Sequence, residues 1–176
     1  MPLLLDDEAL IVRVGTLGGA LRARGLRLAC AESCSGGLIA ALCTSVAGSS
    51  DWFERGVVSY SNAAKTELLG VDPGLIEAHG AVSEPVALAM ARGMLVHSAA
   101  DLALAVTGIA GPGGATPAKP VGLVWLGLGW RASSGELQAQ AEQRVWPGDR
   151  TAVRSATVQW GLARLEGWLT GGQARR

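Results

Sequence analysis

The chain reads as one α/β domain, with helices on both faces of a mixed sheet of about five strands that includes a C-terminal hairpin. Three observations predict this α/β/α arrangement. Short apolar runs alternate with segments whose apolar residues recur at helical spacing. Two apolar-rich segments near the C-terminus flank a short polar turn, as in a hairpin. No repeat, linker or low-complexity stretch divides residues 1–176, which are expected to form a single domain.

The elements follow in order. From Asp7 to Arg24, Leu10, Val14, Leu17 and Leu21 recur at helical spacing, and Gly25 ends the segment. Arg27 to Ala31 predicts a short strand, and Gly37 to Val46 a second helix stopped at Gly48. Val57 and Val58 mark a strand from Arg55 to Tyr60, and Asn62 to Leu69 a short helix closed by Gly70. Ser83-Glu84-Pro85 supplies a cap residue and an early proline for a longer helix reaching Ser98. Leu102 to Thr107 predicts a buried strand, cut by the glycine-rich segment Gly108 to Gly114. Val121 to Trp130 and Leu137 to Val145 make the hairpin around Arg131 to Gly135. In the latter strand Leu137, Ala139, Ala141 and Val145 alternate with Gln138, Gln140, Glu142 and Arg144, the pattern of a half-buried outer strand. A last helix starts near Asp149, an N-cap, with Val153, Ala156 and Trp160 on one face and a second apolar row at Val158, Leu162, Leu165 and Leu169. Helices apolar on several faces are buried or sit at interfaces, so this helix and Glu84 to Ser98 predict a homodimer or larger homo-oligomer.

Composition narrows the function classes. Fifteen basic residues balance fifteen acidic ones, and 49% of residues are hydrophobic against 17% charged. Such a chain is not disordered, and it has no excess of positive charge with which to neutralise nucleic-acid phosphates. Its longest apolar run, Gly122 to Trp130, is about half of a membrane span. The N-terminal Met1-Pro-Leu-Leu-Leu lacks a basic leader and runs into Asp6, Asp7 and Glu8, so no membrane segment or address is expected. Cys30, Cys34 and Cys43 are an odd set without disulfide spacing, which suits reduced thiols in a cytoplasm. A zinc site from Cys30 and Cys34 with His79 or His97 competes with the simpler reading of small buried hydrophobes. No metal or cofactor is expected.

Four segments can carry chemistry. Glu32-Ser33-Cys34-Ser35-Gly36-Gly37 joins a strand to a helix, where unpaired amides and the helix dipole suit a phosphate or an oxyanion; a serine-capped helix is the plain alternative. Tyr60-Ser61-Asn62-Ala63-Ala64-Lys65 holds the only tyrosine and one of just two lysines among fifteen basic residues. Arginine stays protonated, whereas a lysine near a helix N-terminus has its pKa pushed down toward use as a base; a solvated surface lysine is the alternative. Thr107 to Gly114 follows a buried strand and lets bare backbone approach a ligand, although Pro112 spoils a dinucleotide fingerprint. Lys119, the second lysine, lies in the continuation and either closes that loop or is exposed. Arg150, at the start of the last helix, can pair with a phosphate or lie on the surface.

These segments, in this order, resemble the C-terminal domain family of CinA, the nicotinamide-nucleotide amidohydrolases, which also occur as stand-alone proteins. The matching stretches are A-E-S-C-S-G-G (31–37), V-A-G-S-S-D-W-F-E-R-G-V-V-S-Y-S-N-A-A-K (46–65), H-G-A-V-S-E-P-V (79–86), T-G-I-A-G-P-G-G (107–114), K-P-V-G (119–122) and P-G-D-R (147–150). They cover about residues 8 to 168, and Ser35 stands where the family usually has threonine. The chain is too short for the large N-terminal domain of the fused forms and reads as the stand-alone type.

The resemblance implies a deamidase that converts nicotinamide mononucleotide to nicotinate mononucleotide and ammonia. It implies a serine–lysine pair without metal, with Ser33 as nucleophile, Lys65 as base and Tyr60 close by as a third catalytic residue, Lys65 or Tyr60 shuttling protons. Amides around Ser35, Gly36 and Gly37 are the expected oxyanion donors. Asn62, Thr107, Gly108, Ala110, Gly111 and Arg150 are the expected substrate contacts. Cys34 is a rival nucleophile, because thiols are intrinsically better at neutral pH. Two other readings are a catalytically silent nucleotide-binding or regulatory module and an amidase for another small amide.

Overall fold

The computed structural model describes residues 7–171. Helix α1 (Glu8–Ala23) is capped by Asp7, whose carboxylate accepts from the amides of Ala9 and Leu10. There follow β1 (Leu28–Glu32), α2 (Leu38–Thr44), a 3-10 turn (Ser49–Asp51), β2 (Phe53–Val58), α3 (Asn62–Leu69), α4 (Pro73–His79) and α5 (Glu84–Val96). The chain ends with β3 (Leu102–Gly108), β4 (Leu123–Arg131), β5 (Leu137–Val145) and α6 (Arg150–Thr170), the last capped by Asp149 through the Ala152 amide.

The strands form one sheet in the order β2-β1-β3-β4-β5. β1 runs parallel to both β2 and β3, while β4 and β5 continue as an antiparallel hairpin. The sheet is mixed, has helices on both sides, and β5 is an outer strand.

Side-chain size distinguishes the two faces of the central strands. Leu28 and Cys30 of β1, Leu102, Leu104 and Val106 of β3, and Val124, Leu126 and Leu128 of β4 share one core with α1, α2 and α6. The alternate residues Ala29, Ala31, Ala103 and Ala105 join a second core with α3, α4 and α5. Small residues let α5 approach closely: a Cβ at Gly127 would lie 2.4 Å from the Ala87 carbonyl oxygen. Strands that read as uniformly apolar therefore carry a large face and a small face.

Several expectations shift. α4 falls where no element was expected, although Asp72 caps it through the Gly74 amide and Pro73 opens it. Ser83 occupies the N-cap position of α5 without a capping bond; its hydroxyl donates to the Gly80 carbonyl instead. β2 ends at Val58, two residues short of the expected Tyr60, and this frees the carbonyls of Ser59 and Tyr60 for other partners. The apolar row of α6 is buried within the domain, with Val158, Leu162, Leu165 and Leu169 all at most 5% exposed. It therefore carries no argument for an interface.

Register positions the site. Glu32, the last residue of β1, pairs with Val58 of β2 and with Val106 of β3. The carboxyl ends of β1 and β2 thus lie level, the chain leaving them at Ser33 and Ser59, while β3 runs on past them through Thr107 and Gly108. Helix α2 follows on one face and α3 to α5 on the other, opening a crevice at the strand ends.

Candidate active site

Lys65 is the largest fully buried side chain of the domain, at 1% exposed. It occupies the fourth position of α3, which Ser61 caps by accepting from the Ala64 amide. Helical side chains lean toward the N-terminus, so the amine reaches back past its own first turn. There Nζ lies 2.9 Å from the Ser59 carbonyl oxygen, 3.3 Å from that of Tyr60 and 3.1 Å from Ser33 Oγ. No carboxylate among the described residues pairs with it.

Burial lowers the Lys65 pKa from its ordinary value of 10.5, an effect opposed by the neighbouring Cys34 thiol. The positive end of α3 works in the same direction as burial. A neutral amine has two N–H donors and one lone pair. The two carbonyls can take both donors, which turns the lone pair to the Ser33 hydroxyl. That is the arrangement of a base poised to take a proton.

Ser33 is 8% exposed and held by its own amide, which donates to the Val106 carbonyl. It lines a cleft of about 220 Å³ together with Cys34, Tyr60, Lys65, Ala81, Val82, Thr107, Gly108, Ala110 and Arg150. The Tyr60 ring stands at the rim, 59% exposed, where its hydroxyl accepts from Arg150 Nη2 at 3.1 Å. Arg150 also donates to the Gly111 carbonyl. Thr107 donates its hydroxyl to the Ala81 carbonyl and so holds the opposite wall. Lys119 ties the glycine loop down by donating to the His79 carbonyl at 2.6 Å.

Other expected contacts lie elsewhere. Asn62 is exposed and faces a separate groove between α3 and α4, of about 660 Å³. Gly111 meets Arg150 through its carbonyl but does not line the cleft. Ser35 is fully buried, and its hydroxyl donates to Glu32 at 2.6 Å. The Gly36 amide donates to the Ser33 carbonyl and the Gly37 amide to Glu32, so two of the three expected oxyanion donors are engaged within the protein. Among the described residues, no oxygen accepts from the amides of Cys34 and Ser35, which lie against the Cys34 sulfur. They are the donors left at the nucleophile turn.

Two participants went unassigned in the sequence. Glu32 is fully buried beside Ser33. Arg154 of α6 donates through Nε and Nη2 to the Ser35 carbonyl, fixing the turn from across the chain. The thiols are poor rivals of Ser33: burial, with a contribution from the Glu32 charge, raises the Cys34 pKa to about 11. His97 bonds the Gly93 carbonyl, and no metal-binding group of three His, Cys, Asp or Glu side chains forms among the described residues.

The family model of the CinA C-terminal domain matches residues 13–169. The chain belongs to the CinA C-terminal domain family. The nicotinamide-nucleotide amidohydrolase PncC of Escherichia coli K12 is 43% identical over 161 residues, covering 92% of this chain and 95% of that protein. The enzyme of the same name from Enterobacter agglomerans is 52% identical over 146 residues, 83% and 87% of the two chains. A CinA-like protein of Chlorobaculum tepidum is 55% identical over 146 residues. The matched region spans about a third of the length of that CinA-like relative. Among solved structures, the competence/damage inducible protein CihA of Agrobacterium tumefaciens superposes with a TM-score of 0.84 at 41% identity, over 95% of this chain and 98% of that one. The CinA fold is thus the fold of this chain.

Proposed function

We propose that this protein is an amidohydrolase that converts nicotinamide mononucleotide to nicotinate mononucleotide and ammonia, with Ser33 as nucleophile and Lys65 as base. The observation that carries this reading is the 3.1 Å approach of a buried, carboxylate-free lysine amine to a serine hydroxyl at the mouth of a cleft. The names of the PncC relatives support the substrate.

The geometry supports the following course of reaction. Lys65 Nζ takes the proton of Ser33 as Oγ attacks the carboxamide carbon. The amides of Cys34 and Ser35 stabilise the resulting oxyanion. Collapse of the intermediate breaks the C–N bond; the Lys65 ammonium gives its proton to the departing nitrogen, and ammonia leaves. Water, deprotonated by the restored amine, then hydrolyses the acyl ester and frees Ser33. Arg150 at the rim meets the substrate phosphate, steadied there by Tyr60 and the Gly111 carbonyl. Thr107, Gly108 and Ala110 form the wall against the ribose and ring.

The test is ammonia release from nicotinamide mononucleotide, its riboside and free nicotinamide. Turnover is expected only with the phosphorylated substrate. Equal turnover of the riboside would favour an amidase of other specificity, and binding without ammonia would favour a silent module. A cytoplasmic, homo-oligomeric enzyme is part of the same proposal. Its support is three free, buried thiols and the exposed apolar Val58 on edge strand β2 beside Tyr60. No helix among the described residues is long and apolar enough to cross a membrane.

A further inference from the structure

Glu32 is 0% exposed and has no basic partner among the described residues, yet it adjoins the nucleophile. A buried carboxylate is costly unless donors surround it. Here every partner is a donor. Oε2 accepts from Ser35 Oγ at 2.6 Å and from the amides of Gly37 and Ile39 at 3.1 Å each. Oε1 accepts from the Ala40 amide at 2.8 Å, with the Cys30 thiol at 3.5 Å.

These bonds join the sheet to helix α2. The Glu32 backbone belongs to the sheet, where its carbonyl accepts from the Ser59 amide. Its side chain holds the first turn of α2. The nucleophile turn, Ser33 to Gly37, is the short span between these anchors. Its form is completed by the Gly36 amide on the Ser33 carbonyl and by Arg154 on the Ser35 carbonyl. The carboxylate also takes up helix donors that would otherwise be open to a ligand anion. The amides of Cys34 and Ser35, which meet only the weakly accepting Cys34 sulfur, are the turn's donors that no oxygen takes.

We propose that Glu32 is the positioning residue of the site: its buried carboxylate pins the nucleophile turn so that Ser33 Oγ meets Lys65 and the Cys34 and Ser35 amides stay available to an oxyanion. This rests on the assignment of Ser33 as nucleophile. It adds that the Ser35 side chain acts through Glu32 and not on the substrate, and that a hydroxyl is what its position requires. In Glu32→Gln one acceptor oxygen becomes an NH2 group facing N–H or O–H donors, so the turn loosens while the volume is kept.

The experiment is steady-state ammonia release from nicotinamide mononucleotide by the full chain, with thermal melts of each variant. Glu32→Gln should lower kcat about 100-fold, as expected for a misplaced reacting group, and change KM less than about threefold. Ser35→Ala should lower kcat about 10-fold, and Ser35→Thr should restore it to within about threefold. A merely structural role predicts reduced melting temperature with wild-type kcat in the folded fraction. If Glu32→Gln does not fold, the Ser35 pair decides alone. Wild-type kcat in folded Glu32→Gln, or a Ser35→Thr variant as slow as Ser35→Ala, overturns the proposal while leaving Ser33 as nucleophile. Turnover that survives Ser33→Ala overturns the nucleophile assignment and this proposal with it.

Discussion

Lys65 Nζ and Ser33 Oγ are 3.1 Å apart, and the amine's other two neighbours are backbone carbonyls, which accept hydrogen bonds and donate none. The pair is asymmetric in a useful way: no carboxylate among the described residues pairs with Lys65 and burial favours its neutral form, so the side chain serves better as a base than as a counter-ion.

This asymmetry sets a pH dependence. Burial holds the Lys65 pKa below 10.5, so kcat/KM for amide hydrolysis should rise with pH and level off below that value. The effect on stability has the same direction. Between the lowered folded pKa and 10.5 the unfolded chain binds the extra proton, so stability rises with pH across that window. Lys65→Met removes the titrating group, and its stability relative to wild type should be greatest below the window and fall through it. Urea melts between about pH 6 and 11 would show this; a pH-independent difference would contradict it.

Cys34 lines the same cleft, but its thiol, pushed up to about 11, is almost wholly protonated at neutral pH. Cys34→Ala should keep ammonia release within about threefold of wild type. Iodoacetamide at neutral pH should leave turnover intact over the time in which a free thiol reacts fully. Rapid inactivation with label on Cys34 would revive the thiol as nucleophile.

Arg150 joins the Tyr60 hydroxyl to the Gly111 carbonyl at the rim, away from the reacting pair. Arg150→Met should therefore raise KM for the mononucleotide about 10-fold or more and lower kcat little. Tyr60→Phe removes one partner of the guanidinium and should raise KM by less. Initial rates at several substrate concentrations decide this; a fall confined to kcat would move Arg150 to the chemical step.

Packing makes a separate prediction. A Cβ at Gly93 of α5 would lie 1.9 Å from the Leu69 carbonyl oxygen, whereas one at Gly19 of α1 would meet nothing within 4 Å. Gly93→Ala should destabilise by about 2–3 kcal/mol through forced separation of α3 and α5. Gly19→Ala should stabilise by about 0.5–1 kcal/mol through helix propensity. Denaturant unfolding of both gives opposite signs if close helix packing, and not glycine content, governs these positions.

What the sequence discloses follows from the range of each interaction. Lys65 was legible because lysine is rare here and the helix N-cap, Ser61, stands four residues earlier, where the positive end of the helix disfavours an ammonium. Asn62–Leu69 and Leu137–Val145 match the expected spans residue for residue, since local patterns define both. α4 was not legible: seven residues containing only Leu75 and Ile76 as large apolar side chains make little periodicity. The expected role of the Gly36 and Gly37 amides rested on treating the α2 N-terminus as open, and spacing alone does not reveal that Glu32 folds back onto it. Arg154 meets the Ser35 carbonyl across 119 positions of chain, a contact that only the sheet order brings about. Lys119 had no assigned partner until the fold put the His79 carbonyl within reach.

The central claim is that Ser33 attacks and that Lys65 must lose a proton for it to do so. Its most direct measurement is the rate of ammonia release from nicotinamide mononucleotide by wild type, Ser33→Ala and Lys65→Arg at one pH and saturating substrate. Arginine keeps the charge and length of the side chain but cannot act as a base, so both variants should fall by about 1,000-fold or more while remaining folded. Turnover by Lys65→Arg within about 10-fold of wild type would contradict the account, as would any Ser33→Ala rate comparable to that of the native enzyme.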